Sequence, residues 1–477
     1  MPIITVMDPV TRIEGHLKVE LTIDWQGQDL QVMDATCTGT LFRGFEKVLE
    51  NRAPTDAPVL TSRICGVCPV SHTQAATLAL EDATGFRPPH NARVLRNLEL
   101  GSNYLQSHIL HFYLLAALDY VKGPQAPPWS PAWNIDLRKD RRLRRMVDHL
   151  LQSLEARRLA HSMGAIFAGR MPTPHATMPG GYSAVPTADR IARFRNQLNT
   201  LTRFIERTYV PDAEALATVY DDYRAIGVGP ENLLSFGVFQ LDDYGDQTFL
   251  DQGAVAGASN AVDTVATTVI TEDVRYSWYA DATDGLQPDS GETTPQYPKE
   301  GAYSWLKAPR YAGEPYETGP LARMWVNGDY REGISVMDRH LARAREGLKV
   351  AREMAAWLDE LDPNAPVYTD FVNPTAGNGI GLTEAPRGAL GHWVEVAGGQ
   401  IAHYQVITPT CWNSSPKDSL HRNGPLEQAL IGTPIRDADQ PIEALRVIHS
   451  FDPCLSCAVH VMRPEGEPRV IRTGMAR

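Results

Sequence analysis

Cysteine is scarce in this chain, six among 477 residues, which excludes a disulfide-stapled secreted scaffold. No uninterrupted apolar run approaches the roughly 18–20 residues of a membrane-spanning helix, so no span is expected. The opening stretch, MPIITVMDPVTRIEGHLKVE, lacks a basic segment leading into an apolar one, so no export signal is expected either. Basic residues are outnumbered, 45 Lys and Arg against 57 Asp and Glu, and the net charge of -12 argues against nucleic acid or an anionic membrane surface as a partner. What is present is an ordinary globular composition. Its 43% of hydrophobic residues suffices for a substantial core, in one large domain or in two or three average ones.

Four of the cysteines form two pairs, Cys65-Gly-Val-Cys68 with His72 just beyond and Cys454-Leu-Ser-Cys457 with His460 just beyond. They stand near opposite ends, so a shared site would make the chain between them a scaffold. Two such knuckles most often hold structural zinc, but zinc knuckles usually lie close together, and closing so long a loop is costly for a staple. Pro453-Cys454-Leu455-Ser456-Cys457 fits half of a zinc deaminase signature, but the His-x-Glu or Cys-x-Glu half occurs nowhere. A thioredoxin-like dithiol would open a helix of a small βαβ unit, which neither context supports. The third chemistry is a soft transition-metal centre. Four thiolates suit nickel and iron, two divalent ions would neutralise their charge, and Arg63, Arg387 and His72 are candidate neighbours. Cys37 and Cys411 read as packing residues.

Along the chain, alternation over residues 17–23 and 30–35 predicts a β-hairpin. Apolar residues at three- and four-residue steps predict helices over 91–122, 138–169 and 188–209, and another over 335–361, closed by Asp362-Pro363. Residues 227–319 are rich in Gly, Asp, Tyr and Pro and read as irregular structure with short strands, an insertion or a small second domain. A hairpin is predicted over 393–407 about Gly398-Gly399. The glycines of 377–388 lack dinucleotide-loop spacing and lead into a strand, so phosphate binding is not expected.

Five segments carry a more specific likeness: TRIEGH at 11–16, RICGVCPVSH at 63–72, EAPRGALGHW at 384–393, TPTCWN at 408–413 and DPCLSCAVH at 452–460. In them the chain resembles, over nearly its full length, the large catalytic subunit of a nickel-iron hydrogenase of the uptake type. The resemblance implies an α+β fold, mostly helical, with a long-helix bundle core and peripheral β-hairpins. It implies one domain over 1–460, with 227–319 as an irregular insertion. The implied reaction is reversible, heterolytic oxidation of molecular hydrogen to protons and electrons, the electrons passing to an iron-sulfur small subunit in a heterodimer or higher oligomer. This chain itself would hold no iron-sulfur cluster, since the four ligands leave only Cys37 and Cys411.

Carried over residue by residue, the likeness makes Cys65 and Cys454 terminal nickel ligands and Cys68 and Cys457 bridges from nickel to iron. The iron would carry carbon monoxide and two cyanides, installed by maturation proteins, with Arg387, the backbone beside Pro386 and the Thr410 hydroxyl as cyanide contacts. Cys454 and Arg387 are the candidates for first proton acceptor, and Glu14 for the onward relay. Read alone, Glu14 is equally a strand-edge salt-bridge partner, while for Arg387 a surface salt bridge is the lesser alternative given its neighbours. Asp452 would stand in the canopy over the open metal position, and His72 would donate to a bridging sulfur. Glu46, the Val406 carbonyl and His460 would hold magnesium, a hard ion that takes oxygen ligands and water. Val67 and Leu115 match the inner end of the gas channel. Ser107 departs from the aspartate of many respiratory members and removes a carboxylate partner for Arg387. Residues 461–477 resemble the extension that an endopeptidase removes after the histidine, which favours an enzyme precursor over a hydrogen-sensing regulatory relative or a structural zinc protein. The expected location is the cytoplasm or the cytoplasmic face of the membrane, with the periplasm reached only through a small subunit's export signal.

Overall fold

The alternating residues near the start form three antiparallel strands, β1 (Ile3–Met7), β2 (Leu17–Gln26) and β3 (Asp29–Gly39). Leu17, Val19, Leu21 and Ile23 all turn into the core, the period-two pattern that predicted the hairpin. The structure is a computed structural model and describes residues 2–129 and 135–455. Cys457, His460 and the 461–477 extension lie outside the described residues.

The core is built by helices. In chain order these are α1 (Pro69–Asp82), α2 (His90–Leu110), α3 (Arg141–Ala168), α4 (Ala188–Phe204), α5 (Val210–Val219), α6 (Pro320–Val326), α7 (Val336–Glu360) and α8 (Ile442–Ser450). α2 packs against α3 and α7 and is buried along almost all of its length, so it is the axis of the bundle. Two predicted helices end differently from expectation. α2 stops at Leu110 and continues as a wide π turn over His111–Ala116 and a tight 3-10 turn over Ala117–Asp119. α4 does not end the third helix at Tyr209. A π turn over Ile205–Tyr209 leads straight into α5, which carries Pro211 as its second residue, at the point where the wider turn has shifted the hydrogen-bond register. Ser335 caps α7, its hydroxyl accepting from Asp338 N, as a Ser before a periodic run should.

Within 227–319 the chain forms β4 (Leu233–Gln240) and β5 (Thr248–Val255), paired antiparallel, with the short strand Glu317–Thr318 parallel to β4 on its other side. The last sheet is β6 (Ala376–Ala385), β7 (Gly388–Ala397) and β8 (Gln400–Ile407). β7 and β8 turn at Gly398 and Gly399, whose φ angles of 60° and 78° are those of a tight hairpin. The glycines of β6 serve packing. A Cβ on Gly381 would lie 2.0 Å from the Ala75 carbonyl oxygen, and one on Gly379 2.0 Å from that of Ala79, so the strand lies directly on α1. That contact fixes the helix that starts one residue after Cys68. With 40% of residues helical and 21% in strands, the fold is the expected α+β type. No helix among the described residues is long and apolar enough to cross a membrane.

Candidate metal centre

The two ends of the chain meet through backbone pairing. The segment between β1 and β2 lies beside the residues after α8: Glu14 N donates to Pro453 O at 3.3 Å and Leu455 N to Glu14 O at 2.7 Å. Thr410 Oγ1 accepts from Cys454 N at 2.9 Å and fixes that turn from a third direction. The first cysteine motif folds on itself, with Val67 N–H and Cys68 N–H both donating to Cys65 Sγ, at 3.3 and 3.2 Å. As a result the sulfurs of Cys65, Cys68 and Cys454 lie within 4.8 Å of one another, all buried, and Ala385 and Val67 pack around them. Cys65 Sγ and Cys454 Sγ are 3.1 Å apart, well beyond the roughly 2.05 Å of a disulfide. Three clustered thiols away from water are a donor set for a soft metal, whose charge removes their mutual repulsion.

Arg387 is 1% exposed and forms an ion pair through Nε with Asp452 Oδ1 at 3.1 Å. Asp452 thus supplies the carboxylate that Ser107 does not. Nη1 and Nη2 have no hydrogen-bond partner among the described residues. Burial would lower the pKa of this guanidinium, but Asp452 and then Cys454, Cys68 and Cys65 hold it well above the usual arginine value. A permanent cation with two uncommitted donors beside three sulfurs fits small anionic ligands at the metal.

Arg323, which sequence reasoning missed, positions Arg387. From α6 its Nη1 and Nη2 donate to the carbonyls of Ala385 and Pro386 at 3.1 and 3.0 Å, clamping the residues just before Arg387. Its own charge is balanced by Glu346 at 2.6 Å and Glu384 at 2.6 Å. Burial alone would raise Glu346, but Arg323 holds it near 2, whereas burial pushes Glu384 up to about 7 against the pull of the same guanidinium. An arginine in an otherwise apolar helix, PLARMWV, was the available signal.

The other expected residues fall as follows. Glu14 Oε1 accepts from Gly66 N at 3.3 Å, so its carboxylate touches the first cysteine motif while its backbone pairs with the second. His72 is buried and its Nδ1 faces His392 Nε2 at 3.2 Å, with Tyr404 OH 2.8 Å from His392 Nδ1. Burial lowers His72 to about 4, with Cys65 opposing and Arg43 assisting. Val67 packs on the sulfurs. Leu115 is placed through its carbonyl, which accepts from Arg12 Nη1 at 2.8 Å. Cys37 is buried in the main core, as expected.

Glu46 and Val406 are also brought together, Val406 N donating to Glu46 Oε1 at 3.1 Å. They border a cavity of about 60 Å³ shared with Glu272, Lys307 and Cys411, and Glu272 pairs with Lys307 at 3.1 Å. Of the two carboxylates, Glu46 is the one left to face a hard cation, because the Lys307 ammonium already neutralises Glu272. Cys411 therefore lines a site as well as packing, and burial pushes its thiol up to about 11.

A family model described as nickel-dependent hydrogenase matches residues 43–140, 129–333 and 328–460, and one described as HoxL-like matches residues 4–36. The periplasmic NiFeSe hydrogenase large subunit of Desulfomicrobium baculatum is 40% identical over 502 residues, spanning 98% of this chain and 96% of that protein. The uptake hydrogenase large subunit of Bradyrhizobium diazoefficiens is 33% identical, over 97% of this chain and 96% of its own. A solved structure of the NiFeSe hydrogenase from D. vulgaris Hildenborough in the reduced state superposes with a TM-score of 0.92 at 39% identity, covering 96% of this chain and 100% of that one. Where those names carry selenium, both motifs of this chain have cysteine at all four positions. The converging cysteines and this end-to-end likeness agree: the chain belongs to the nickel-dependent hydrogenase family, as a large subunit.

Proposed function

We propose that this chain oxidises molecular hydrogen reversibly to protons and electrons at a nickel-iron centre, working in the uptake direction and passing electrons to an iron-sulfur small subunit. The observation that carries the reading is the meeting of Cys65, Cys68 and Cys454 within 4.8 Å under the Arg387 guanidinium. Cys65, Cys68 and Cys454, with Cys457, would hold the nickel and iron, the first of each pair on nickel and the second shared with iron, and the relatives' naming as large subunits supports the small-subunit partner. When bound, the centre supplies heterolytic cleavage of hydrogen and takes up its electrons.

The chain's own residues do the rest. Arg387, with Nη1 and Nη2 uncommitted, would donate to anionic ligands of the iron. Thr410, whose oxygen already accepts from Cys454 N, keeps its O–H to donate to a cyanide, beside the Pro386 backbone. Asp452 holds the Arg387 guanidinium in place from the canopy. The proton would leave through Cys454 to Glu14, whose contacts with both cysteine motifs suit a relay, since Arg387, held as a permanent cation, has no free base to take it. His72 donates toward a bridging sulfur. Val67 and Leu115 border the path of the gas. Glu46, Val406 and His460 would hold magnesium. Maturation proteins install carbon monoxide and cyanide, and an endopeptidase then removes 461–477 from a single domain over 1–460. The relative named periplasmic supports export with the small subunit over the cytoplasmic placement expected from the sequence.

The test is infrared spectroscopy and hydrogen-dependent dye reduction on the matured complex. Bands of metal-bound carbon monoxide and cyanide together with dye reduction are expected, and the lack of both sinks the assignment.

A further inference from the structure

The EAPRGALGHW segment carries a histidine, His392, that the metal centre leaves without a role. It sits on β7 opposite Val406 of β8, and Tyr404 lies two positions further along β8, on the same face of the sheet. His72 comes one helical turn after Cys68, in the first part of α1, which packs against β7. The three side chains form one line: His72 Nδ1 lies 3.2 Å from His392 Nε2, and His392 Nδ1 lies 2.8 Å from the Tyr404 hydroxyl. All three are buried, Tyr404 in a cluster with Leu49, Leu80, Val394 and Ile401. Apolar side chains would fill such a place without the cost of taking two imidazoles and a phenol out of water. The order of their hydrogen bonds is therefore what sets them apart from packing residues.

Each of the two gaps in the line holds one proton. Burial, with His72 assisting, keeps His392 well below the usual histidine range, so its ring is neutral, with one N–H and one acceptor nitrogen. Burial raises the Tyr404 phenol, which keeps its O–H. If His392 carried its proton on Nδ1, that proton would fill the gap to Tyr404 and turn the phenol O–H away. The hydroxyl has no other hydrogen bond among the described residues, and a buried donor left without an acceptor is costly. The phenol therefore donates to His392 Nδ1, and His392 Nε2–H donates to His72 Nδ1. His72 Nδ1 is then an acceptor, so the proton of His72 is on Nε2. The far end of the line decides the order of the whole.

We propose that Tyr404 and His392 are positioning residues that fix His72 in the tautomer with its proton on Nε2, a permanent hydrogen-bond donor to the bridging sulfur and never a proton acceptor. It rests on the hydrogen-oxidising reading of the chain. An N–H directed at a metal-bound thiolate draws electron density off the sulfur and so off the metal. With the tautomer fixed, that withdrawal is constant. With Nδ1 occupied by His392, the ring has no free base, and the proton released from hydrogen is left to Glu14.

The test uses the matured complex of large and small subunits. Neutron diffraction from deuterium-exchanged crystals should place deuterons on the Tyr404 oxygen toward His392, on His392 Nε2 and on His72 Nε2. A deuteron on His392 Nδ1 or on His72 Nδ1 overturns the proposal without any variant being made. Infrared spectra read the same order at the metal. Tyr404→Phe and His392→Leu should each move the band of metal-bound carbon monoxide to lower wavenumber, because the sulfur loses its fixed donor. His392→Gln should keep the band at its wild-type position, since the amide can accept from Tyr404 and donate to His72 in the same order. Nickel content and melting temperature are measured on each variant, which separates an electronic shift from loss of metal or of fold. A band that stays in place in both Tyr404→Phe and His392→Leu, with nickel retained, overturns the proposal. Wild-type complex with carbon monoxide bands and a misplaced deuteron refutes only the role of Tyr404 and His392. Wild-type complex with neither bands nor hydrogen oxidation refutes the hydrogenase reading and that role with it.

Discussion

Cys65 Sγ and Cys454 Sγ stand 3.1 Å apart although 389 positions separate them along the chain. The approach is enforced by backbone, through the pairing of Glu14 with Pro453 and Leu455 and the Thr410 hydroxyl on Cys454 N, so the sulfurs are brought together by the fold. A preorganised set of this kind binds metal tightly and loses it when one donor is weakened. Cys454→Ser keeps the shape and replaces a soft donor by a hard one. Elemental analysis of the purified complex should show nickel reduced by at least about tenfold, with the melting temperature of the metal-free protein little changed. Retained nickel would mean that Cys454 is not a ligand.

Arg323 tests how far the centre depends on residues that never reach it. Arg323→Met removes a cation shared by Glu346 and Glu384 and leaves both carboxylates buried. Breaking a buried pair from one side costs about 3–5 kcal/mol, so a marked fall in unfolding midpoint is expected in chemical denaturation. The carbonyls of Ala385 and Pro386 lose their clamp at the same time. Hydrogen oxidation should therefore fall further than the residual folded fraction explains.

Gly381→Ala addresses the seat of the first cysteine motif. Its Cβ would meet the Ala75 carbonyl oxygen at 2.0 Å, backbone against backbone, with no flexible side chain to move aside. Overpacking of this sort costs about 1–3 kcal/mol, and here the strain falls on α1, whose first residue follows Cys68. The expected outcome is lower stability together with reduced nickel retention. Gly398→Ala, at a turn with nothing within 4 Å of the added Cβ, should lower stability through its positive φ alone and leave nickel unaffected.

What could be read in advance was whatever depends on neighbours in sequence. The paired cysteines, Ser335 at the start of α7, the Gly398-Gly399 turn and the alternation of β2 all declare themselves within a few residues. The departures are tertiary. The helix expected to end at Tyr209 instead runs on through a π turn into α5. The apolar residues of α2 marked one face, and nothing local indicated that the opposite face, with Asn103 and Ser107, is buried too. Arg323 and Asp452 owe their roles to partners 61 and 65 positions away, and only the folded chain makes those partners neighbours. Cys411 read as plain packing because Glu272 and Lys307, with which it lines a cavity, are remote in sequence.

Glu427 lies in the short helix Pro425–Leu430, buried against β3, and offers a pH signature independent of the metal. Its Oε1 accepts from Cys37 N at 2.8 Å and from Tyr303 OH at 2.9 Å, while Oε2 has no hydrogen-bond partner among the described residues. Burial pushes the carboxyl up to about 8, with those hydrogen bonds opposing, so the folded protein keeps a proton there that the unfolded chain releases near its ordinary value of about 4.3. Between those two values the folded state binds more protons than the unfolded state. Its stability therefore falls as pH rises through the window, by at most about 1.4 kcal/mol per pH unit from this one group. Glu427→Gln keeps the shape and removes the titration. From about pH 5 to pH 8, melting curves of the two proteins should diverge, the wild type losing stability relative to the Gln variant as pH rises. Parallel profiles would mean that the carboxyl is already ionised in the folded protein at pH 5.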